Sequence, residues 1–148
     1  MKALIQRVTR AEVSIEGKLY SKIGEGCLVL LGIEKGDTER DIAYMGKKVA
    51  QLRIFEDASK KMNLSVKDIN GEVLVVSQFT LSAQCKKGNR PSFDRAEEQS
   101  LAEIIYRKFI DTLKTYDLRV QTGDFGAYMH VHLVNDGPVT ILLDSKNK

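Results

Sequence analysis

The sequence predicts an α/β fold: a single domain over residues 1–148, with mixed, largely antiparallel β-sheets in layers and two main helices on one side. Three observations carry that prediction. Short apolar runs bounded by glycine or polar residues, Cys27 to Gly32 (CLVLLG) and Val73 to Val76 (VLVV), read as buried strands. Only two stretches repeat apolar residues at helical spacing. Two helices are too few to cover both faces of a large parallel sheet, so layers with the helices gathered on one side fit better. A chain of 148 residues is of ordinary size for one domain. At this length roughly 68% of the unfolded chain's surface is buried on folding, enough for a core without disulfides or a structural metal.

The elements follow in order. Near the start Ile5, Arg7 and Thr9 share one face of a strand and Leu4, Gln6 and Val8 the other. Val13-Ser14-Ile15 continues it, and Glu16-Gly17-Lys18 turns the chain into a hairpin. Gly24-Glu25-Gly26 breaks the chain before the buried run at Cys27. Thr38 with Asp41 resembles a capping box, and Ile42, Met45, Val49 and Leu52 then recur at helical spacing, predicting a helix over 38–53. A loop rich in Lys, Asp and Ser runs from Glu56 to Asp68 and contains Met62-Asn63-Leu64-Ser65. The VLVV strand passes directly into Ser77-Gln78-Phe79-Thr80-Leu81. Asp94 with Glu97 reads as a second helix start, and Leu101, Ile104, Ile105, Phe109 and Leu113 extend that helix over about 94–115. Tyr128 to Leu133 alternates as a strand. Asn135-Asp136-Gly137-Pro138 reads as a turn into a last strand, Val139 to Leu143.

Several classes drop out. CLVLLG is far short of the ~20 apolar residues that span a bilayer, so no membrane partner is expected. The opening MKALIQRVTRAEV has no continuous apolar core of a secretory signal. Cys27 and Cys85 are the only cysteines and sit in unrelated settings, so neither a disulfide framework nor a CxxC metal site is expected. Cys27 reads as core filling. A cytoplasmic location follows as the expectation.

Four segments could carry chemistry. A buried strand ending in Ser77-Gln78-Phe79-Thr80 is a rigid mount for a site. The hydroxyls of Ser77 and Thr80 become nucleophiles only beside a base, and none is near in sequence. The plainer reading is a polar strand end capping a turn. His130 and His132, the only histidines, fall on one face of a strand. They suit ordinary polar positions or a Ser/Thr–His hydrolase; no carboxylate or cysteine cluster completes a metal site. Gly137-Pro138 is first of all a turn, and the sequence leaves its peptide isomer open. Finally, residues 84–95 (QCKKGNRPSFDR) carry Lys86, Lys87, Arg90 and Arg95 against Asp94. Removing these four cations and one anion from 23 and 20 leaves 19 and 19, so this loop holds the chain's whole net charge of +3. Basic residues beside an aromatic (Phe93) suit phosphates and single-stranded nucleic acid; a solvated loop is the alternative.

Together, Ser77-Gln78-Phe79-Thr80-Leu81, Arg90-Pro91-Ser92-Phe93, Met62-Asn63-Leu64 and Leu133-Val134-Asn135-Asp136-Gly137-Pro138-Val139-Thr140 resemble the D-aminoacyl-tRNA deacylase family. Ala3 to Ala11 and Gln121-Thr122-Gly123 resemble it too. Each motif is weak alone; their order and spacing over essentially the whole chain make the resemblance specific. It implies α/β/β layers, a homodimer, and hydrolysis of the ester between a D-amino acid and tRNA. It implies a cis Gly137–Pro138 bond that enters the other subunit's pocket as a chiral gate, steadied by Arg7. Ser77, Gln78, Phe79 and Thr80 would face that gate, with Phe125 and Met129 near the terminal adenosine. With it, Lys86, Lys87 and Arg90 are expected to meet tRNA phosphates near the acceptor end. No cofactor or metal is expected.

Two chemistries stay open: Thr80 as nucleophile, or backbone N–H groups near Phe79 and Thr80 stabilising the oxyanion while water, helped by the ribose 2′-hydroxyl, attacks. Two other functions compete: a Ser/Thr–His esterase on small substrates, and a non-catalytic RNA-binding module.

Overall fold

The computed structural model describes residues 1–86 and 88–147. The chain opens with a long strand, β1 (Lys2–Ile15), and turns into β2 (Lys18–Ile23). Then come β3 (Gly26–Gly32), helix α1 (Glu39–Gln51), and a small hairpin of β4 (Phe55–Glu56) and β5 (Met62–Leu64). Strand β6 (Glu72–Ser77) leads into a 3-10 turn (Phe79–Ser82). Helix α2 (Gln99–Lys114), β7 (Arg119–Thr122) and β8 (His130–Asp144) complete the chain.

The main sheet has the order β2-β1-β3-β6-β7, with β8 also pairing β1. It is mixed: β1 pairs antiparallel with β2, β3 and β8, while β3–β6 and β6–β7 are parallel. Strand alternation gives the sheet two apolar faces, each with its own core. Ala3, Ile5, Val29, Leu31, Val73 and Val75 face Ile42, Met45 and Val49 of α1 and Ile105, Phe109 and Leu113 of α2. Both helices therefore lie on one side, as the sequence predicts. Leu28, Leu74 and Val76, one residue out of phase, join Val8, Ala11, Val13 and Ile23 in the second core. Gly46 lets the helices close up: a Cβ there would lie 2.7 Å from the Thr112 methyl. Phe109, fully buried between α2 and the sheet, is a residue whose truncation costs about 3–5 kcal/mol.

The capping box at α1 forms as expected: the Asp41 carboxylate accepts from the Thr38 N–H at 2.9 Å. Burial pushes the Asp41 pKa up, but hydrogen bonds from Ser145 and Thr38 and the Lys146 charge outweigh it and hold the carboxyl well below its usual range. Among the described residues, no helix is long and apolar enough to cross a membrane.

Two expectations need correction. The second helix does not begin at 94. Lys35 N–H bonds Arg95 O at 2.9 Å and Glu97 N–H bonds Ile33 O at 3.0 Å, pinning this stretch beside the end of β3. The helix starts only at Gln99, where the Glu98 carboxylate caps the Ser100 N–H at 3.1 Å. The tail likewise does not reverse at Asn135–Pro138. Residues 130–144 form one strand along β1, paired as Gln6 with Thr140 and Val8 with Asn135. Asp136, Gly137, Pro138 and Val139 thus stand opposite Arg7 alone, a wide bulge in place of a hairpin turn. The turn-forming residues supply the local deviation, and Asn135 closes it by donating Nδ2 to Arg7 O (2.9 Å) and Val139 O (3.0 Å). The short strands β4, β5 and β7 lie in stretches where no strand was expected.

Candidate active site

The strand β6 ends at Ser77, and the next residues are fastened to their neighbours. Gln78 N–H donates to Leu31 O at 2.8 Å, the last rung toward β3. Leu81 N–H returns to Gln78 O at 3.2 Å and Ala83 N–H to Thr80 O at 3.1 Å, which closes the 3-10 turn. Lys2 Nζ donates to Leu81 O at 3.4 Å and pairs with Glu34 at 3.2 Å, tying the turn to β1. The strand thus ends in polar residues that lead into a turn, as the plainer reading of the sequence has it, and the turn leaves Phe79 and Thr80 exposed.

Beside it lies an open cavity of about 500 Å³. Ser77, Gln78, Phe79, Phe125 and Met129 line it together with Val76 and Val131. Five of the residues expected at a site thus share one wall. Phe125 is held by Tyr106, ring centroids 5.5 Å apart, and the Tyr106 hydroxyl donates to Val75 O at 2.8 Å. Burial pushes that phenol well above its ordinary value, so it stays a neutral donor.

Thr80 is exposed next to Phe79 and is not part of the cavity wall. Its Oγ1 lies 2.5 Å from Gln78 Nε2. An amide is no base, so this partner orients the hydroxyl without activating it. His130 and His132 lie on β8 outside the cavity wall. His130 packs edge-on against Tyr128 at 5.4 Å, and His132 pairs with Glu12 of β1.

The Gly137–Pro138 bond is cis. Both residues are exposed, and neither lines the cavity of its own chain. Arg7 grips the base of their bulge. Its Nε lies 2.9 Å from Asp136 Oδ2 and 3.3 Å from Asp136 O, while Nη1 donates to Ile54 O at 2.6 Å. Gly137 has φ +118, and a Cβ there would meet Val139 Cγ2 at 2.9 Å and Arg7 Nη2 at 3.0 Å.

The basic loop closes on itself through Gln84 and Ser92, whose backbones exchange bonds of 2.8 and 3.0 Å. Lys86 and Arg90 are exposed on it; Lys87 lies outside the described residues. Phe93 at its foot meets Phe79 edge-on at 5.0 Å, so the loop is anchored at the cavity rim.

Sequence reasoning missed Glu97, Gln99 and Ala102, which line the cavity, and Tyr128 at its mouth. The first three come from the pinned stretch and the true start of α2, which a helix from 94 hides. Among the described residues no group of three or more His, Cys, Asp or Glu gathers as metal ligands.

A family model described as D-Tyr-tRNA(Tyr) deacylase matches residues 4–144. A D-aminoacyl-tRNA deacylase of Thermosipho africanus (strain TCF52B) is 55% identical over 146 residues, covering 99% of this chain and 98% of its own. One of Thermotoga petrophila (strain ATCC BAA-488 / DSM 13995 / JCM 10881 / RKU-1) is 56% identical over 145 residues, covering 98% and 97%. A solved structure described as c-Myc DNA Unwinding Element Binding Protein superposes with TM-score 0.91 at 48% identity, covering 97% of this chain and 98% of that one. Another, described as a probable eukaryotic D-amino acid tRNA deacylase, shares the fold with TM-score 0.79 at 16% identity, covering 96% and 97%.

Proposed function

The chain belongs to the D-Tyr-tRNA(Tyr) deacylase family, and from that premise we propose that its cavity hydrolyses the ester of D-aminoacyl-tRNA, releasing free D-amino acid and tRNA. It is a D-aminoacyl-tRNA deacylase, a hydrolase of translation proofreading. The observation that carries the site assignment is the wall shared by Ser77, Gln78, Phe79, Phe125 and Met129. Phe125 and Met129 offer an apolar seat for the terminal adenosine, and the end of β6 stands over the ester. Lys86 and Arg90, anchored beside Phe79, meet acceptor-end phosphates.

The cavity lacks its gate within one chain. A second copy supplies it: Gly137 and Pro138 stand out of the sheet on the bulge that Arg7 holds. Their backbone carbonyls take the substrate's α-amino group, and an L side chain then strikes the wall. Selection is by rejection, so many D-amino acids pass, and glycine, with no side chain, passes too. Glycyl-tRNA, including glycine mischarged on tRNA(Ala), is then a further substrate. A row of Leu30, Leu4 and Leu142 across β3, β1 and β8, with Leu142 59% exposed, supports a homodimer by offering apolar surface to a partner.

For the chemistry, the amide partner of Thr80 favours attack by water with help from the ribose 2′-hydroxyl. The first N–H groups of the 3-10 turn, at Phe79 and Thr80, have no acceptor within it and are the donors this reading assigns to the developing oxyanion. No step runs through a metal or cofactor. The reaction belongs in the cytoplasm, where aminoacyl-tRNA is consumed.

The test is turnover of D-Tyr-tRNA by the purified chain, with sedimentation equilibrium beside it. Multiple turnovers by a dimer are expected. Binding without turnover would make the chain an RNA-binding module. Activity abolished by joint replacement of His130 and His132 would make it a Ser/Thr–His esterase.

A further inference from the structure

Tyr128 is the most exposed large apolar side chain among the described residues, at 83%, yet it lines the cavity. It sits between Phe125 and Met129 in sequence, but they are half-buried in the wall while its ring stands at the mouth. The His130 imidazole packs against it with planes at 83°, which restrains its tilt. Phe79, 56% exposed, lines the same cavity from a different segment and leads through Phe93 to the basic loop. Exposed aromatics converging on one opening beside cations are the means by which proteins hold single-stranded nucleic acid, because every base has a face to stack on.

We propose that Tyr128 is a stacking platform for the nucleobase that precedes the terminal adenosine of the substrate's single-stranded 3′ end. The proposal rests on the deacylase reading of the same cavity. With the adenosine seated on Phe125 and Met129, the next nucleotide outward meets the aromatic at the mouth. Tyr128 then contributes affinity for the polynucleotide and nothing to the chemical step. Its contact is sequence-tolerant, since stacking reads no hydrogen-bonding edge.

The experiment compares Tyr128→Ala and Tyr128→Phe with the parent chain on two compounds. One is D-Tyr-tRNA; the other is 3′-O-D-tyrosyl-adenosine, which lacks all upstream nucleotides and serves as substrate or competitive inhibitor. Tyr128→Ala is expected to raise KM for D-Tyr-tRNA about tenfold with kcat held, the size of loss that removing one base–aromatic stack brings. Tyr128→Phe restores the KM, and the adenosine ester binds all three forms alike. An unchanged KM for D-Tyr-tRNA in Tyr128→Ala overturns the stacking role alone. So does an equal loss on the adenosine ester, a failure of Tyr128→Phe to restore, or dissociation of a dimer in Tyr128→Ala. A parent chain that leaves D-Tyr-tRNA intact overturns the deacylase reading, and the stacking role with it.

Discussion

Arg7 of β1 holds Asp136 of β8 by both its backbone and its carboxylate, at 3.3 and 2.9 Å from the same Nε. The Arg7 side chain is 8% exposed, whereas that of Asp136 is 47% exposed. One buried cation therefore sets where the chain leaves and rejoins the sheet around Gly137 and Pro138.

Arg7→Ala removes that hold and orphans Ile54 O, which accepts from Nη1 at 2.6 Å. A stability loss of about 2–4 kcal/mol is expected in urea denaturation. Asp136→Ala costs less, because its half-exposed carboxylate is already hydrated. In both variants the ratio of D to L hydrolysis falls as the bulge loosens. A D/L ratio unchanged in Arg7→Ala would separate Arg7 from the gate.

Thr80→Ala separates the two chemistries. With Oγ1 held by the Gln78 amide, which is no base, the variant is expected to keep kcat within about tenfold, whereas loss of a true nucleophile costs on the order of 10⁴-fold or more. A substrate ending in 2′-deoxyadenosine is expected to lose about 10²- to 10⁴-fold. A dead Thr80→Ala with normal cleavage of the deoxy substrate would establish Thr80 as nucleophile.

Lys86 and Arg90 are exposed on the loop that holds the chain's net charge. Replacing both with Ala is expected to weaken tRNA binding and lower the slope of log K against log salt by about 1.4 for single-strand contacts. The D/L ratio is set elsewhere and stays. Filter binding across salt concentrations reads the slope; no change would remove these residues from the phosphate contacts.

Burial pushes the Cys27 thiol up to about 12 from an ordinary value of 9.0, with the nearby Arg7 charge pulling the other way. Below pH 9 both folded and unfolded chains hold the proton, and the contribution to stability is complete. Above it the unfolded chain loses the proton first, so stability falls as pH rises toward 12. Urea melts between pH 8 and 11 are expected to show this decline, and Cys27→Ala to lessen it, most clearly below pH 10, above which the raised Tyr106 phenol adds a decline of its own. Below pH 9 a thiol reagent labels exposed Cys85 alone in the folded chain.

Much of this architecture is legible in the sequence, for local reasons. Cys27 to Leu31 and Val73 to Val76 alternate between two cores, and each core needs its own apolar set. Thr38 and Asp41 mark a helix start because both halves of the capping box lie within four residues. Asp94 and Glu97 carry a similar signal, but it is overridden by backbone bonds to Ile33 and Lys35, some sixty residues away. The bulge at Gly137 is hidden for the same reason: its width depends on Arg7 alone standing opposite four residues. At the site, Ser77 to Thr80 are conspicuous by residue type. Gln99 and Tyr128 are not, since only folding brings the start of α2 and the segment before β8 to one cavity.

The most direct measurement is the initial rate of hydrolysis of D-Tyr-tRNA against L-Tyr-tRNA under identical conditions. A gate that rejects by side-chain clash predicts rapid cleavage of the D ester and an L ester surviving at its spontaneous rate. Equal rates on the two, or no cleavage of either, would contradict it.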